Sequence, residues 1–214
     1  MLVEIWSDVM CPFCYIGKRN FEAALAQLDN KTQVKIEWKS FQLDPEMPLK
    51  TDQETDVYTY LSERKGISRK QVEQMHIQVT QMAANAGLDY HLESTVMVNS
   101  FKAHRLIQFA KTKGLGDAAE EKLFYANFTE GKDFGDDHVL QAIGKEIGLQ
   151  EADVTAALTD DQYAYAAKSD INEAMELGIN GVPFFVFDRK YAISGAQPPA
   201  AFLQALQQLE KGNH

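Results

Sequence analysis

The pattern of apolar and polar positions resolves first at the start of the chain. Residues 2–6, LVEIW, concentrate β-branched and aromatic side chains and predict a short strand within a sheet. That run stops at Ser7 and Asp8. From Tyr15 onward Ile16, Phe21, Ala24, Leu25 and Leu28 recur at helical spacing, which predicts a helix beginning near the cysteines and ending before Asn30. Pro12 suits its first turn, where no backbone N–H is needed. Residues 34–41, VKIEWKSF, then alternate as a half-buried strand does, closing a βαβ unit.

The middle of the chain keeps a helical period. Ser68 and Gln71 fit a capping box ahead of Val72, Met75, Val79, Met82 and Ala86 on one face, and Gly87 follows. The stretch NSFKAHRLIQFAK carries Phe101, Leu106 and Phe109 on an apolar face, which gives His104 a structural role. Residues 117–120 read as another cap before Leu123, Phe124 and Phe128. Asp136 and Asp137 precede Val139, Leu140, Ile143 and Ile147, with Gly148 as the stop, and residues 156–158 and 163–175 continue the period. Met75, Met82 and Met97 sit among other apolar helix positions and read as core filler rather than as an adaptable groove.

Past residue 177 the period changes. Gly178 ends a helix, GVPFFVF predicts a strand, Asp188 and Arg189 a tight hairpin, and KYAIS its return strand. After Gly195, Pro198 or Pro199 starts a last amphipathic helix with Phe202, Leu203, Leu206 and Leu209 inward. No linker, internal repeat or low-complexity run interrupts the chain.

Composition narrows the partners. The 214 residues, 45% of them hydrophobic, suffice for a sizeable core. Thirty-one acidic residues against 21 basic leave a net charge of −10, which disfavours both nucleic acid and anionic membrane surfaces as partners. No apolar run approaches a membrane span, and MLVEIWSDV has an acid at Glu4 and no basic region ahead of an apolar core, so a cytoplasmic protein is expected.

Only two cysteines occur, Cys11 and Cys14, spaced Cys-x-x-Cys on the turn between the first strand and helix. That spacing serves half a zinc site, a structural disulfide or a redox pair. His76, His91, His104, His138 and His214 supply no His-x3-His partner for zinc, and no metal is expected. A reducing cytosol disfavours a structural staple. The unpaired N–H groups of a helix N-terminus favour a thiolate, which marks Cys11 as the exposed nucleophile and Cys14, one turn inside, as the thiol that resolves the mixed disulfide. Asp8 is the acid nearest in sequence to take a proton from Cys14.

SDVMCPFCYIGK after a first strand, NSFKAHRL in the middle, GVPFF before a hairpin and ISGAQP before the last helix together resemble the DsbA-like thioredoxin superfamily, in particular its FrnE-like cytoplasmic dithiol-disulfide oxidoreductases. Relatives of that branch include 2-hydroxychromene-2-carboxylate isomerase and kappa-class glutathione transferases. The resemblance implies an α/β, thioredoxin-like fold with an inserted all-helical domain: residues 1–45 and 166–214 form the thioredoxin-like part, and residues 46–165 the insertion. It implies a cis Val182–Pro183 bond beside the Cys11–Cys14 redox pair, with Pro12, Phe13, Val182, Pro183 and Phe184 meeting a protein or small-molecule disulfide substrate. No cofactor is bound on this reading. The alternative is a glutathione-assisted isomerase or transferase acting on a small aromatic or polyketide-like substrate, with glutathione as co-substrate. The sequence departs from the family at two places. Pro12-Phe13 replaces the Pro-His of the periplasmic oxidant, and the isomerase and transferase relatives carry serine where Cys11 stands.

Overall fold

The computed structural model describes residues 1–28, 33–50 and 56–212, so Asn30 and His214 lie outside the described residues. Four strands form one mixed sheet in the order β2-β1-β3-β4. Strand β1 (Leu2–Ser7) lies parallel to β2 (Lys35–Ser40), Val3 opposite Ile36 and Ile5 opposite Trp38, with helix α1 (Pro12–Leu25) as the crossover. A parallel pair needs such a crossover, and its length matches the sequence between the strands. On the other side of β1, β3 (Phe184–Phe187) runs antiparallel and continues through a hairpin to β4 (Tyr191–Ser194). Asp188 and Arg189 form that turn with φ of 46° and 54°, the left-handed pair that matches strand twist.

Strand alternation divides the sheet. Val3, Ile5, Phe185 and Phe187 point to one face, where they pack with Phe21 of α1 and with Phe202 and Leu206 of α9 (Pro199–Gly212). Trp6 and Val186 point to the other, against Ala174 of α8 (Asp161–Glu176) and Ile179. There the Trp6 Nε1 donates to the Asp170 carbonyl at 2.9 Å, and the Asp170 carboxylate accepts from the Ser40 peptide at 3.0 Å and from Gln108 at 2.6 Å. These bonds satisfy the polar groups that α8 buries against the sheet.

Among the described residues, six α-helices lie between β2 and α8, with a short 3-10 turn at Leu92–Ser94 after the second: α2 (Val57–Lys65), α3 (Arg69–Asn85), α4 (Phe101–Thr112), α5 (Gly116–Phe128), α6 (Asp137–Glu146) and α7 (Glu151–Thr159). Helix α3 opens with the full Ser68–Gln71 capping box, and Asp136 caps α6 through its carboxylate. The cap read at Asp117 is displaced. Helix α5 begins at Gly116 after Leu115, and the Asp117 carboxylate instead accepts from Trp38 Nε1 at 2.9 Å. Leu106, Ile107, Leu123, Leu140 and Val154 make a second core among α4 to α7. A third core joins the two parts: Tyr15 stacks on Phe124 at 5.1 Å, and Tyr90 packs on Phe128 at 5.0 Å. Lys18 and Arg19 of α1 reinforce this seam through ion pairs with Glu121 of α5.

Candidate active site

The chain leaves β1 at Ser7 and turns on Asp8, whose carbonyl accepts from the Cys11 peptide at 2.9 Å. The Asp8 carboxylate, fully buried, holds this turn to the segment after β2 by accepting the Leu43 N–H at 2.7 Å and the Met10 N–H at 3.3 Å. Cys11 then occupies the position before α1 in extended conformation, and Pro12 begins the helix. Its side chain makes no capping bond to the helix. The Cys11 thiol donates instead to the Val182 carbonyl at 3.4 Å, across 171 residues of sequence.

That carbonyl belongs to the cis Val182–Pro183 peptide. Pro183 packs on α1 one turn beyond Cys14, where residue 17 must be glycine: a Cβ there would lie 2.9 Å from Pro183 Cγ. The Pro183 carbonyl accepts from the Gly195 N–H at 2.8 Å, which ties the loop to the end of β4.

Both cysteines are free thiols and both are buried, Cys11 to 3% exposure and Cys14 to 1%. The expectation of a solvent-exposed Cys11 is therefore corrected, because the helical insertion covers the end of α1. What Cys11 faces is a cavity of about 360 Å³, bounded by Pro12, Phe13 and Val182 on one side and by residues of α2 and α3 on the other. Phe13, 37% exposed, stands at this cavity. Met75 and Met97 line it and are not core filler, whereas Met82 lies exposed on α3. Phe184 is absent from its walls. Strand alternation turns that ring to the opposite face of the sheet, among Trp6, Ala174 and Ile179.

Burial, followed by the neighbouring Cys11, pushes the Cys14 thiol well above its ordinary range, and the Asp8 peptide and Ser7 hydroxyl beside the sulfur offset only part of this. Around the Asp8 carboxylate lies a group of residues that the sequence did not single out as a unit. His104 of α4 is fully buried with Nε2 3.4 Å from Asp8 Oδ1. Its burial opposes protonation, but Asp8 and Glu120 outweigh that cost and raise its pKa. Glu120 of α5, also buried, has its pKa raised to about 8, chiefly by burial and secondarily by Asp8. Glu120 looks in sequence like any surface acid of an acidic helix; only its spacing of three and four residues from Leu123 and Phe124 hints that it faces inward. Among the described residues no three His, Cys, Asp or Glu side chains gather to hold a metal ion.

With this geometry in view, comparison with known proteins is specific. The model of the DSBA-like thioredoxin domain matches residues 2–207. The uncharacterized protein YwbO of Bacillus subtilis is 28% identical over 212 residues, covering 98% of this chain and 97% of that one. The crystal structure of a probable DsbA oxidoreductase from Streptomyces coelicolor is 39% identical and superposes with a TM-score of 0.91, covering 97% of this chain and 89% of that one. The cytosolic disulfide reductase DsbM of Pseudomonas aeruginosa, in its structure with GSH, shares the fold at 17% identity and a TM-score of 0.68, covering 99% of this chain and 100% of that one. By the extent of the domain match and its likeness to the Streptomyces protein, this chain belongs to the DSBA-like thioredoxin family.

Proposed function

We propose that the protein is a thiol-disulfide oxidoreductase of the FrnE-like type, with Cys11 as nucleophile and Cys14 as resolving thiol. The observation that carries this reading is the placement of the Cys11 thiol, at the start of α1 and in the wall of a cavity, with a second thiol buried one turn behind it. In the forward direction the Cys11 thiolate attacks one sulfur of a substrate disulfide; a Cys11–substrate disulfide forms and the other substrate sulfur leaves as thiolate. Cys14 then attacks Cys11 Sγ, the Cys11–Cys14 disulfide forms, and the remaining substrate thiol departs. Two equivalents of a low-molecular-weight thiol such as glutathione restore the dithiol and become a disulfide themselves.

The cavity shapes the choice of substrate. Its walls are mostly apolar, from Val57, Leu61, Met75 and Val79 among others, and the exposed side chains of Arg64 and Lys65 bring positive charge to it. Protein and small-molecule disulfides with an apolar group beside the sulfur both fit this lining. The reaction runs in a reducing, glutathione-containing cytoplasm, the compartment named for DsbM. Among the described residues no helix is long and apolar enough to cross a membrane.

The test is catalysis of disulfide reduction with added glutathione, together with reshuffling of a scrambled protein. Met97→Trp, which fills the cavity from a half-buried position, should slow turnover of an apolar disulfide by about tenfold or more and slow alkylation of Cys11 by the much smaller iodoacetamide to a lesser degree. The same apolar lining favours a second reading, glutathione-assisted isomerisation or conjugation of a small aromatic compound. That reading replaces the first if glutathione-dependent turnover of such a compound persists in Cys14→Ser while no disulfide exchange is found in the wild type.

A further inference from the structure

Helix α2 turns its inward face onto empty space. Val57, Tyr60, Leu61, Arg64 and Lys65 recur at spacings of three and four, which puts them on one stripe of the helix, and all five line the cavity that Cys11 faces. A helix of a packed domain buries such a stripe in a core, as α4 does with Leu106, Ile107 and Phe109. In α2 only Val57 is buried. Polar contacts hold it down instead. The Asp44 carboxylate, buried in the segment after β2, accepts from the Tyr60 hydroxyl at 2.6 Å and pairs with Arg64 at 3.1 Å. Arg64 also donates to the Leu43 carbonyl at 3.2 Å. At its start α2 is tied to α3 by Asp56 and Arg69, an ion pair about half exposed and therefore weak, and by the Tyr58 ring against His76 at 4.9 Å. At its end Gly66 has φ of 63°, and a Cβ there would meet nothing within 4 Å, so no other element is packed on that joint.

The reacting sulfur lies behind this helix. Cys11 is 3% exposed, and the cavity before it, about 360 Å³, is near the lower end of the range for sites that enclose small molecules. A disulfide on a folded protein brings two stretches of chain with it, and the thiolate must still reach one of its sulfurs. With α2 seated, that approach is closed. Resting on the oxidoreductase reading above, we infer that α2 selects the substrate: seated, it admits low-molecular-weight disulfides alone, and protein disulfides react only through a state in which α2 lifts about Gly66. Asp44 and Tyr60 are the specificity-determining residues, because their bond must break before the helix leaves. Asp44 is not part of the cavity wall, so its substitution alters the latch and not the lining.

The experiment applies one chemistry at two sizes. Labelling of Cys11 by N-ethylmaleimide and by the bulky fluorescein maleimide, each normalised to its rate with free glutathione, is compared in the wild type, Asp44→Asn and Tyr60→Phe. Turnover of a small aromatic disulfide, reshuffling of a scrambled protein and amide exchange are measured alongside. The wild type should disfavour the bulky reagent by about tenfold or more, as expected of a site reached through local opening. Each variant weakens the hold on α2 by one bond to a carboxylate, so bulky labelling and protein reshuffling should rise by about tenfold while N-ethylmaleimide labelling and small-disulfide turnover stay within about twofold. Amide exchange in α2 should quicken with them and exchange in α4 should not, whereas a general loosening of the fold would quicken both. Size-independent labelling of the wild type, acceleration of both reagents by the same factor, or no change in either variant overturns the inference and leaves the redox roles intact. If neither variant folds, the wild type decides: amides of α2 as protected as those of α4, or Cys11 equally open to both reagents, overturns it equally. Absence of disulfide exchange with any substrate would instead remove the oxidoreductase reading, and the substrate classes inferred here with it, whatever the labelling shows.

Discussion

Cys11→Ser is expected to abolish disulfide exchange, by on the order of a thousandfold or more, because a serine hydroxyl does not ionise near neutral pH and no other thiol remains beside the cavity. Cys14→Ser should behave differently. Its Cys11 still attacks, but the mixed disulfide has no resolving partner and accumulates, so substrate or glutathione adducts should be recovered from Cys14→Ser and not from Cys11→Ser. The asymmetry should also appear in the wild type. Cys14 is buried and its thiol is pushed well above the ordinary range, whereas Cys11 opens on the cavity. Limited iodoacetamide near pH 7 should therefore label Cys11 first. Equal labelling, or equal trapping by the two variants, would contradict the assignment.

The largest stability effect is expected at Phe185. This ring is fully buried between α1 and α9, 5.6 Å from Phe21 and 4.6 Å from Phe202 between ring centroids, on the strand that begins directly after Pro183. Phe185→Ala removes a large side chain from a packed aromatic cluster and should cost about 3–5 kcal/mol, seen as a fall of roughly 10 °C or more in Tm. Phe184→Ala, on the same face of β3 as Val186, opposite to Phe185, and only half buried, should cost visibly less. A larger loss at Phe184 than at Phe185 in chemical denaturation would mean that the two faces of β3 have been assigned the wrong way round.

Local chemistry made much of the fold legible. The βαβ unit, the Ser68–Gln71 box, the Gly178 stop and the hairpin at Asp188 and Arg189 each depend on residues within a few positions of one another, and each is found in the structure. The juxtaposition of Cys11 with Val182 depends on chain ends 171 residues apart and came from resemblance to a family, not from spacing. Where expectation failed, a distant element had intervened. The cover over Cys11 comes from the insertion, and a Cys-x-x-Cys turn viewed alone gives no sign of it. Phe184 was grouped with the site by nearness to Pro183, although the period-two rule already sends Phe184 and Phe185 to opposite faces. Asp117 resembled a helix cap because an acid precedes an apolar run, yet Trp38 from β2 claims its carboxylate. Glu120 and Glu121 are indistinguishable by type; one is buried near His104 and Asp8 and the other pairs with Arg19 at the seam.

The central claim is that Cys11 and Cys14 form a reversible redox couple. A titration of the purified protein across glutathione poises, with acid quenching, thiol alkylation and intact mass at each point, tests it most directly. The account predicts one two-electron transition from a species with two alkylatable thiols to one with none and two hydrogens fewer, the ratio changing tenfold for every ~30 mV, with both forms present at poises near that of a glutathione pool. A protein that keeps two free thiols at every poise, or stops at a stable glutathione adduct on Cys11 with Cys14 still alkylatable, would contradict it.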